Sequence, residues 1–561
     1  MSLESILHAR LGAAFSAVAG EPVDPVLRRS QRADFQADGA LRLARTLGRP
    51  PREVAAAVLE HDPLDDLCAA EIAGPGFVNL TVRDDVLSTM ADALRGDDRL
   101  GVPLAEPETV VVDYSAPNAA KEMHVGHLRS TIIGDAIVRL LEHLGHHVIR
   151  QNHLGDWGTP FGMLVEHLVD TGAGENSSVG ELSEFYREAR RKFDTDEDFR
   201  DRSRNRVVAL QSGDPRTREL WRAVVDRSID YIGTIYARLD VSLTRADIAG
   251  ESRYDQRLGP VADELERLGL LRESDGARCV FPAGFTNRAG DPLPLIVRKA
   301  DGGYGYDTTD LAAIRYRITE LKADRLLYVV GTPQREHFQM VFQAAREAGW
   351  LTDDVHAEHV GFGSMLGTDG KMLRTRAGRT VKLGELLDEA VARAAEQVRE
   401  RNTDVGVDEV AKAVGIGAVK YADLATDRLR DYTFDYDRML SFDGNTGPYL
   451  QYAHARTRSI LRRADTEPGS VAVAEPAERE LALALLALPT VVAEVAATLE
   501  PHRLCAYLYG LAGAFTTFYE RCPVLRAEPE VRASRLALCA LTARVLATGL
   551  GLLGIAAPER M

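Results

Sequence analysis

Two histidines, His124 and His127, bracket a Val-Gly pair where a strand-like run, residues 110–112, passes through Ser115-Ala116-Pro117-Asn118 into a helix-like run. Imidazoles at a helix entrance can donate hydrogen bonds to phosphate oxygens. The free N–H groups and the positive dipole end there also favour an anion. Gly126, between the histidines, lets a nucleotide come close to the backbone, and Lys121 adds a cation three residues ahead. A second segment, Gly367-Thr368-Asp369-Gly370-Lys371-Met372-Leu373-Arg374-Thr375, interleaves cations with glycines, as a loop that closes on a polyphosphate would. A third, Gly302-Gly303-Tyr304-Gly305-Tyr306-Asp307-Thr308-Thr309-Asp310, brings a phenol and carboxylates after a glycine turn. A carboxylate is the bidentate acceptor that a planar guanidinium requires. An N-cap role is the plainer reading of Asp307 or Thr309.

These residues need elements to hold them. After His127, the apolar residues Leu128, Ile132, Ile133, Ala136, Ile137, Leu140, Leu141 and Leu144 recur at helical spacing, and Gly145 marks the stop. Val148 and Ile149 follow as a second strand, so the unit reads β-α-β. From 109 to about 405, strand-like runs at 110–112, 279–281, 295–297, 326–330 and 359–362 alternate with helical ones. That alternation predicts an α/β, Rossmann-type, doubly wound parallel sheet. A charge-rich helical stretch at about 165–245 is an insertion expected over the rim of the site. Residues 1–108 predict an α+β module, with a helix facing inward through Ile6, Leu11, Phe15 and Val18 and a strand at 77–82. A polar, broken segment at 97–103 follows as a linker, and 406–561 read as an all-α bundle.

Composition narrows the function classes. The chain has 561 residues, too many for one core, and its 45% hydrophobic and 27% charged content is that of an ordinary globular protein. No apolar run approaches the ~20 residues of a membrane span, and no signal pattern opens the chain. Five scattered cysteines without a Cys-x-x-Cys pair argue against a disulfide framework or a zinc site and predict a reducing cytosol. A formal charge of −16 argues against a nonspecific nucleic-acid coat but not against a local basic surface. Gly549-x-Gly551-x-x-Gly554 is formally a dinucleotide fingerprint, but no strand precedes it.

His124-Val125-Gly126-His127 resembles the HIGH signature of class I aminoacyl-tRNA synthetases. The flanking Ser-Ala-Pro-Asn-Ala-Ala-Lys-Glu-Met and Leu154-Gly155-Asp156-Trp157-Gly158 resemble the arginyl-tRNA synthetase version in particular. Lys371-Met372-Leu373-Arg374-Thr375 resembles the KMSKS loop, with Arg374 where the second lysine belongs and Lys121 as the compensating cation. The resemblance implies catalysis by His124, His127, Lys121, Lys371 and Arg374, with Gly126 and Met372 also at ATP. It implies an arginine pocket of Tyr306, Asp310 and Gln334, with Asn118 at the substrate's α-amino end. Asn79 would touch the outer corner of the tRNA, where a turn or capping role is the plainer reading. Tyr449, Tyr452 and Arg456 would meet the anticodon region, along a basic face that includes Arg458, Arg462 and Arg463. The implied partners are tRNA-Arg, L-arginine and ATP with Mg2+ as a substrate ion. No tightly bound cofactor, dedicated metal site or membrane contact is expected, and the protein is expected to be a cytoplasmic monomer. The rivals are a tRNA-independent class I adenylate-forming amino-acid ligase and a non-catalytic tRNA-binding paralogue. Missing zinc cysteines and a full helical bundle disfavour the first, and intact histidines disfavour the second.

Overall fold

The β-branched run Thr109–Asp113 (β1) is buried over Val110, Val111, Val112 and Asp113, which marks it as a central strand. A computed structural model describes residues 2–172, 179–373, 381–401 and 406–561. In it β1 pairs in parallel with His147–Gln151 (β2) on one side and with Arg325–Tyr328 (β3) on the other; β3 pairs in parallel with His356–His359 (β4). The sheet order is therefore β4-β3-β1-β2. Helix Val125–His143 carries the chain from β1 to β2, which then returns past β1 to form β3. Strand order reverses between β1 and β3, and in open α/β sheets ligands bind in the crevice at such a switch point. His124, just beyond β1, and Gly331–Gln334, just beyond β3, both open into that crevice.

Two predicted strands lie elsewhere. The runs at 279–281 and 295–297 form Ala277–Val280 and Leu295–Arg298, and with Leu271–Ser274 they make a separate three-stranded antiparallel sheet. A two-residue turn joins the first pair, and the loop 281–294 holds no helix, with Gly284 and Gly290 in left-handed conformations. A parallel neighbour would have required a crossover, usually helical. The run at 359–362 pairs earlier than expected, over His356–His359, and the run at 326–330 pairs over Arg325–Tyr328.

The insertion is helical: Thr159–Thr171, Val179–Thr195, Glu197–Ser212 and Pro215–Leu239 pack beside the crevice. It touches the signature turn directly, since Ser183 Oγ accepts from Glu122 N at 3.0 Å and Ser228 Oγ accepts from Ala120 N at 2.8 Å. The N-terminal module has a four-stranded antiparallel sheet that includes the predicted Phe77–Val82 strand. Its first helix, Leu3–Ala19, buries the predicted Leu11 and Phe15 together with Leu3, Leu7 and Ala14, while Val18 packs half-buried against the same core and Ile6 is half-buried beside it.

After Val407–Leu424 the chain is mostly helical, through Gly447–Arg463, Pro501–Arg521 and Pro529–Leu552. Two stretches there, Pro476–Thr498 and Pro529–Leu552, are long and apolar enough to cross a membrane, which corrects the sequence reading. Half of the first apolar window and two thirds of the second is buried inside the protein, as expected of bundle-core helices. The Gly549-x-Gly551-x-x-Gly554 pattern falls at the end of the second of these helices, without the strand before it that a nucleotide-binding turn would need.

Candidate active site

Between β1 and helix Val125–His143 the backbone takes the left-handed conformation at three non-glycine residues: Ser115 (φ 72°), Ala116 (φ 44°) and Ala120 (φ 61°). Each such residue costs about 1–3 kcal/mol and persists only where the surroundings impose it. A buried polar network imposes it here. Ser130 Oγ accepts from Ser115 N at 2.8 Å, and Ser115 Oγ lies 2.7 Å from the Tyr236 hydroxyl and 2.8 Å from Thr131 Oγ1. Asn152 closes the circuit, its Nδ2 donating to the Tyr236 hydroxyl at 2.8 Å and its Oδ1 accepting from Ala116 N at 3.1 Å. The strained turn presents Asn118 to solvent directly over Gly155, where a Cβ would lie 2.5 Å from Asn118 Oδ1.

The two histidines cap the helix reciprocally. His124 Nδ1 accepts from Gly126 N, and His127 Nδ1 accepts from His124 N, each at 3.1 Å. In a neutral ring whose Nδ1 accepts, the proton must sit on Nε2, so both imidazoles present an Nε2–H donor. Burial lowers both pKa values, and His127 is pushed down to about 3, with His124 and Lys121 adding to the effect. At neutral pH they are uncharged donors. The rings lie 4.0 Å apart, and His124 folds so closely over Gly126 that a Cβ there would meet its Cε1 at 2.8 Å. The folded imidazole by itself therefore leaves no room for a side chain at Gly126. Lys121 is exposed and rests over the Tyr186 ring of the insertion at 4.4 Å.

Two cavities flank this helix entrance. One, of about 290 Å³, is lined by His124, Gly126, Gly331, Phe362, Met365 and Met372, apolar faces and open backbone that suit a purine. The other, of about 310 Å³, is lined by Asn118, Lys121, Trp157, Glu251, Tyr304 and Tyr306. It is acidic at its wall. Burial, with Asp156 and Asp310 nearby, pushes the Glu251 pKa up to about 7, the mark of a carboxylate short of a cation. Helix Tyr306–Thr319 begins there with Gly305 as N-cap, so neither Asp307 nor Thr309 is the cap. Asp307 Oδ2 instead accepts from Ile296 N at 2.7 Å, and Asp310 Oδ2 meets His337 Nε2 at 2.6 Å. Tyr306 is 68% exposed, its ring edge-on to His337 at 5.4 Å. Gln334 is exposed at the N-cap of helix Arg335–Glu347, three residues before His337.

The basic loop is less convergent. Asp369 Oδ1 accepts from Lys371 N at 3.1 Å, and Gly367 N donates to Lys371 O at 2.7 Å, a tight turn. Met372 reaches the purine-sized cavity, whereas Lys371 lines a separate space with Phe434 and Tyr436. Arg374 lies outside the described residues. Sequence reasoning missed Glu251 and His337, and also Ser115, Asn152 and Tyr236. Glu251, Asn152 and Tyr236 carry no local signal, whereas Ser115 lies in the turn before the histidines and His337 falls three residues after Gln334.

The expected RNA contacts are dispersed. Asn79 is in the central part of strand Phe77–Val82, not in a turn, and its buried Oδ1 has no hydrogen-bond partner. Tyr449, Tyr452 and Arg456 fall on one face of helix Gly447–Arg463. Tyr452 is exposed, Tyr449 packs on Tyr509 at 5.6 Å, and Arg456 lies over Tyr519 at 4.2 Å. The predicted basic face is partly neutralised, because Arg458 and Arg462 both pair with Glu559.

Comparison with known proteins identifies the family of the whole chain. Residues 89–436 match "tRNA synthetases class I (R), catalytic domain", residues 450–561 match "DALR anticodon binding domain", and residues 1–82 match "Arginyl tRNA synthetase N terminal domain". The arginine–tRNA ligase of Thermobifida fusca is 56% identical over 100% of this chain and 99% of its own length. The Plasmodium falciparum arginyl-tRNA synthetase structure superposes with a TM-score of 0.87 at 28% identity, covering 100% of this chain and 99% of that one. The Thermus thermophilus arginyl-tRNA synthetase gives 0.83 at 28% identity over the whole of both chains.

Proposed function

The chain belongs to the arginyl-tRNA synthetases, and from that premise we propose that it activates L-arginine with ATP and transfers the arginyl group to the 3′ end of tRNA-Arg. The observation that carries this reading is the pair of neutral, Nε2–H-presenting histidines set between a purine-sized slot and an acidic pocket.

The arginine carboxylate attacks the α-phosphate of ATP, pyrophosphate leaves, and an arginyl-adenylate forms. A hydroxyl of the terminal ribose of the tRNA then attacks the carbonyl carbon, and AMP leaves. Catalysis is positioning plus stabilisation of charge as it develops. His124 and His127 donate to phosphate oxygens without adding charge. Lys121 leaves Tyr186 to meet the phosphates, and Lys371 and Arg374 close over the departing pyrophosphate. Gly126 and Met372 accommodate the nucleotide, with Mg2+ arriving as its counter-ion. Asn118 receives the α-amino end, while Asp310, Tyr306 and Gln334, joined by Glu251, take the guanidinium.

The same reading divides the chain into a tRNA-corner module at 1–108, the catalytic domain at 109–405 and an anticodon-binding bundle at 406–561. It puts Asn79, Tyr449, Tyr452 and Arg456 against RNA. The same reading makes the protein a cytoplasmic monomer free of membrane contact, and the reducing compartment is in keeping with the five cysteines, all free and buried. Pyrophosphate exchange with each standard amino acid, with and without tRNA, is the test. Exchange is expected with arginine alone and only when the cognate tRNA is present. Strong exchange without tRNA would favour a free-standing ligase, and none under any condition a non-catalytic paralogue.

A further inference from the structure

His337 faces two carboxylates at once. Its Nε2 lies 2.6 Å from Asp310 Oδ2 and its Nδ1 lies 3.7 Å from Asp307 Oδ1. Ionised carboxylates only accept hydrogen bonds, so a ring with a carboxylate on each nitrogen is best matched when both nitrogens carry protons. The 2.6 Å contact is also as short as a charge-assisted bond. We propose that His337 is the resident cation of the guanidinium pocket, an imidazolium that balances Asp307 and Asp310 in the empty site and releases its Nδ1 proton to solvent as arginine binds.

The inference rests on Asp310 being the guanidinium acceptor. Two cations cannot share that carboxylate without repulsion, and a guanidinium keeps its proton at any accessible pH. The imidazolium is the partner that can yield. Once neutral it keeps its Nε2–H on Asp310 Oδ2 and so still orients the carboxylate, leaving Oδ1 and the second lone pair of Oδ2 for the substrate. His337 is therefore a positioning residue that acts through Asp310.

The groups around the ring agree. Helix Tyr306–Thr319 supplies Asp307, Asp310 and the Tyr306 ring at 5.4 Å, while on its own helix His337 meets Phe338 at 5.4 Å. Lys299 acts on Asp307, and the charge of Asp310 acts on Glu251. Burial pushes the His337 pKa down, but the hydrogen bond and charge of Asp310, with Asp307, more than reverse this and leave it raised. Glu251, pushed up to about 7, is a second group that would lose a proton to an arriving cation, so the test must separate the two.

Calorimetric titration of the full chain with L-arginine at pH 6.5, in two buffers of different ionisation enthalpy, counts the protons released. Release is expected, with the arginine Kd tightening from pH 6 to 8.5 by up to about tenfold per unit for each proton exchanged. H337Q, which keeps a donor for Asp310, should release fewer protons than the unaltered protein and show a shallower Kd profile. E251Q should still release protons. No release from the unaltered protein, equal release from H337Q, or none from E251Q would each overturn the proposal. D310N distinguishes the layers. If it leaves the arginine Kd unchanged, the guanidinium reading itself fails; if it weakens binding while H337Q releases as much as the unaltered protein, only the role of His337 fails.

Discussion

Arg129 and Asp423 form an ion pair at 3.1 Å although their side chains are only 2% and 0% exposed. Arg129 stands three residues beyond Gly126 and two beyond His127 on the signature helix and also borders the purine-sized cavity; Asp423 lies in the last turn of the helix Val407–Leu424 that leads into the bundle. Arg129 Nη1 donates as well to Arg430 O at 2.9 Å. One guanidinium thus fastens the nucleotide side of the crevice to the element beneath the bundle. Removing either partner strands the other charge, which in buried pairs costs about 3–5 kcal/mol. Arg129→Met and Asp423→Asn should each lower unfolding stability by that order, and the double variant should lose much less than their sum. Additive losses in urea would show that the two residues do not depend on each other.

Replacing His127 with alanine removes an uncharged donor aimed at developing phosphate charge. The activation rate should fall by roughly two to three orders of magnitude, about 3–4 kcal/mol. Because the ring is already neutral, the rate should not gain from raising the pH above 7. Single-turnover adenylate formation from pH 6.5 to 8.5 checks both points; a His127→Ala rate within a few-fold of the original would remove this residue from the phosphates.

The same histidine gives an acid-side stability signature. Its folded pKa lies below its unfolded value, so the unfolded chain binds the extra proton and stability is lost as pH falls from about 6.5 towards 3. Chemical denaturation of His127→Asn should show a flatter decline between pH 6.5 and 5 than the unaltered protein. Parallel curves would place the acid sensitivity in other groups.

Lys121→Ala should reduce activation about as much as His127→Ala if Lys121 supplies the charge of the missing signature lysine. Tyr186→Leu, which removes only its resting place, should leave the rate within a few-fold. Should Lys121→Ala keep full activity while Arg374→Ala loses it, Arg374 is the cation that matters.

Asp310→Asn should raise the arginine KM sharply and leave that for ATP nearly unchanged, since Asp310 pairs with His337 beside Tyr306 and is not among the residues lining the purine-sized cavity. Lysine should be rejected by roughly 10⁴-fold or more, because it leaves buried acceptors unpaired. Canavanine, which keeps the guanidinium plane, should be rejected only weakly. If Asp310→Asn alters folding alone, the guanidinium must bind elsewhere.

Local pattern by itself determined a good deal. The β-branched run before the signature, the helical spacing after it and the glycine between the histidines specified β1, the turn and helix Val125–His143. Strand Phe77–Val82 was equally legible, because alternation and flanking turns act within a few residues. Only the tertiary structure decided that the runs near 279 and 295 pair with each other and leave the parallel sheet, since neighbouring strands are chosen by connection geometry. It alone brought His337 to Asp310, 27 residues away, Tyr236 to Ser115 at a separation of 121, and Asp423 to Arg129 at 294. Apolar periodicity records which face of an element is buried. It carries no record of which buried charge meets which, because that depends on how whole elements pack, and the pocket's electrostatics are made of such meetings.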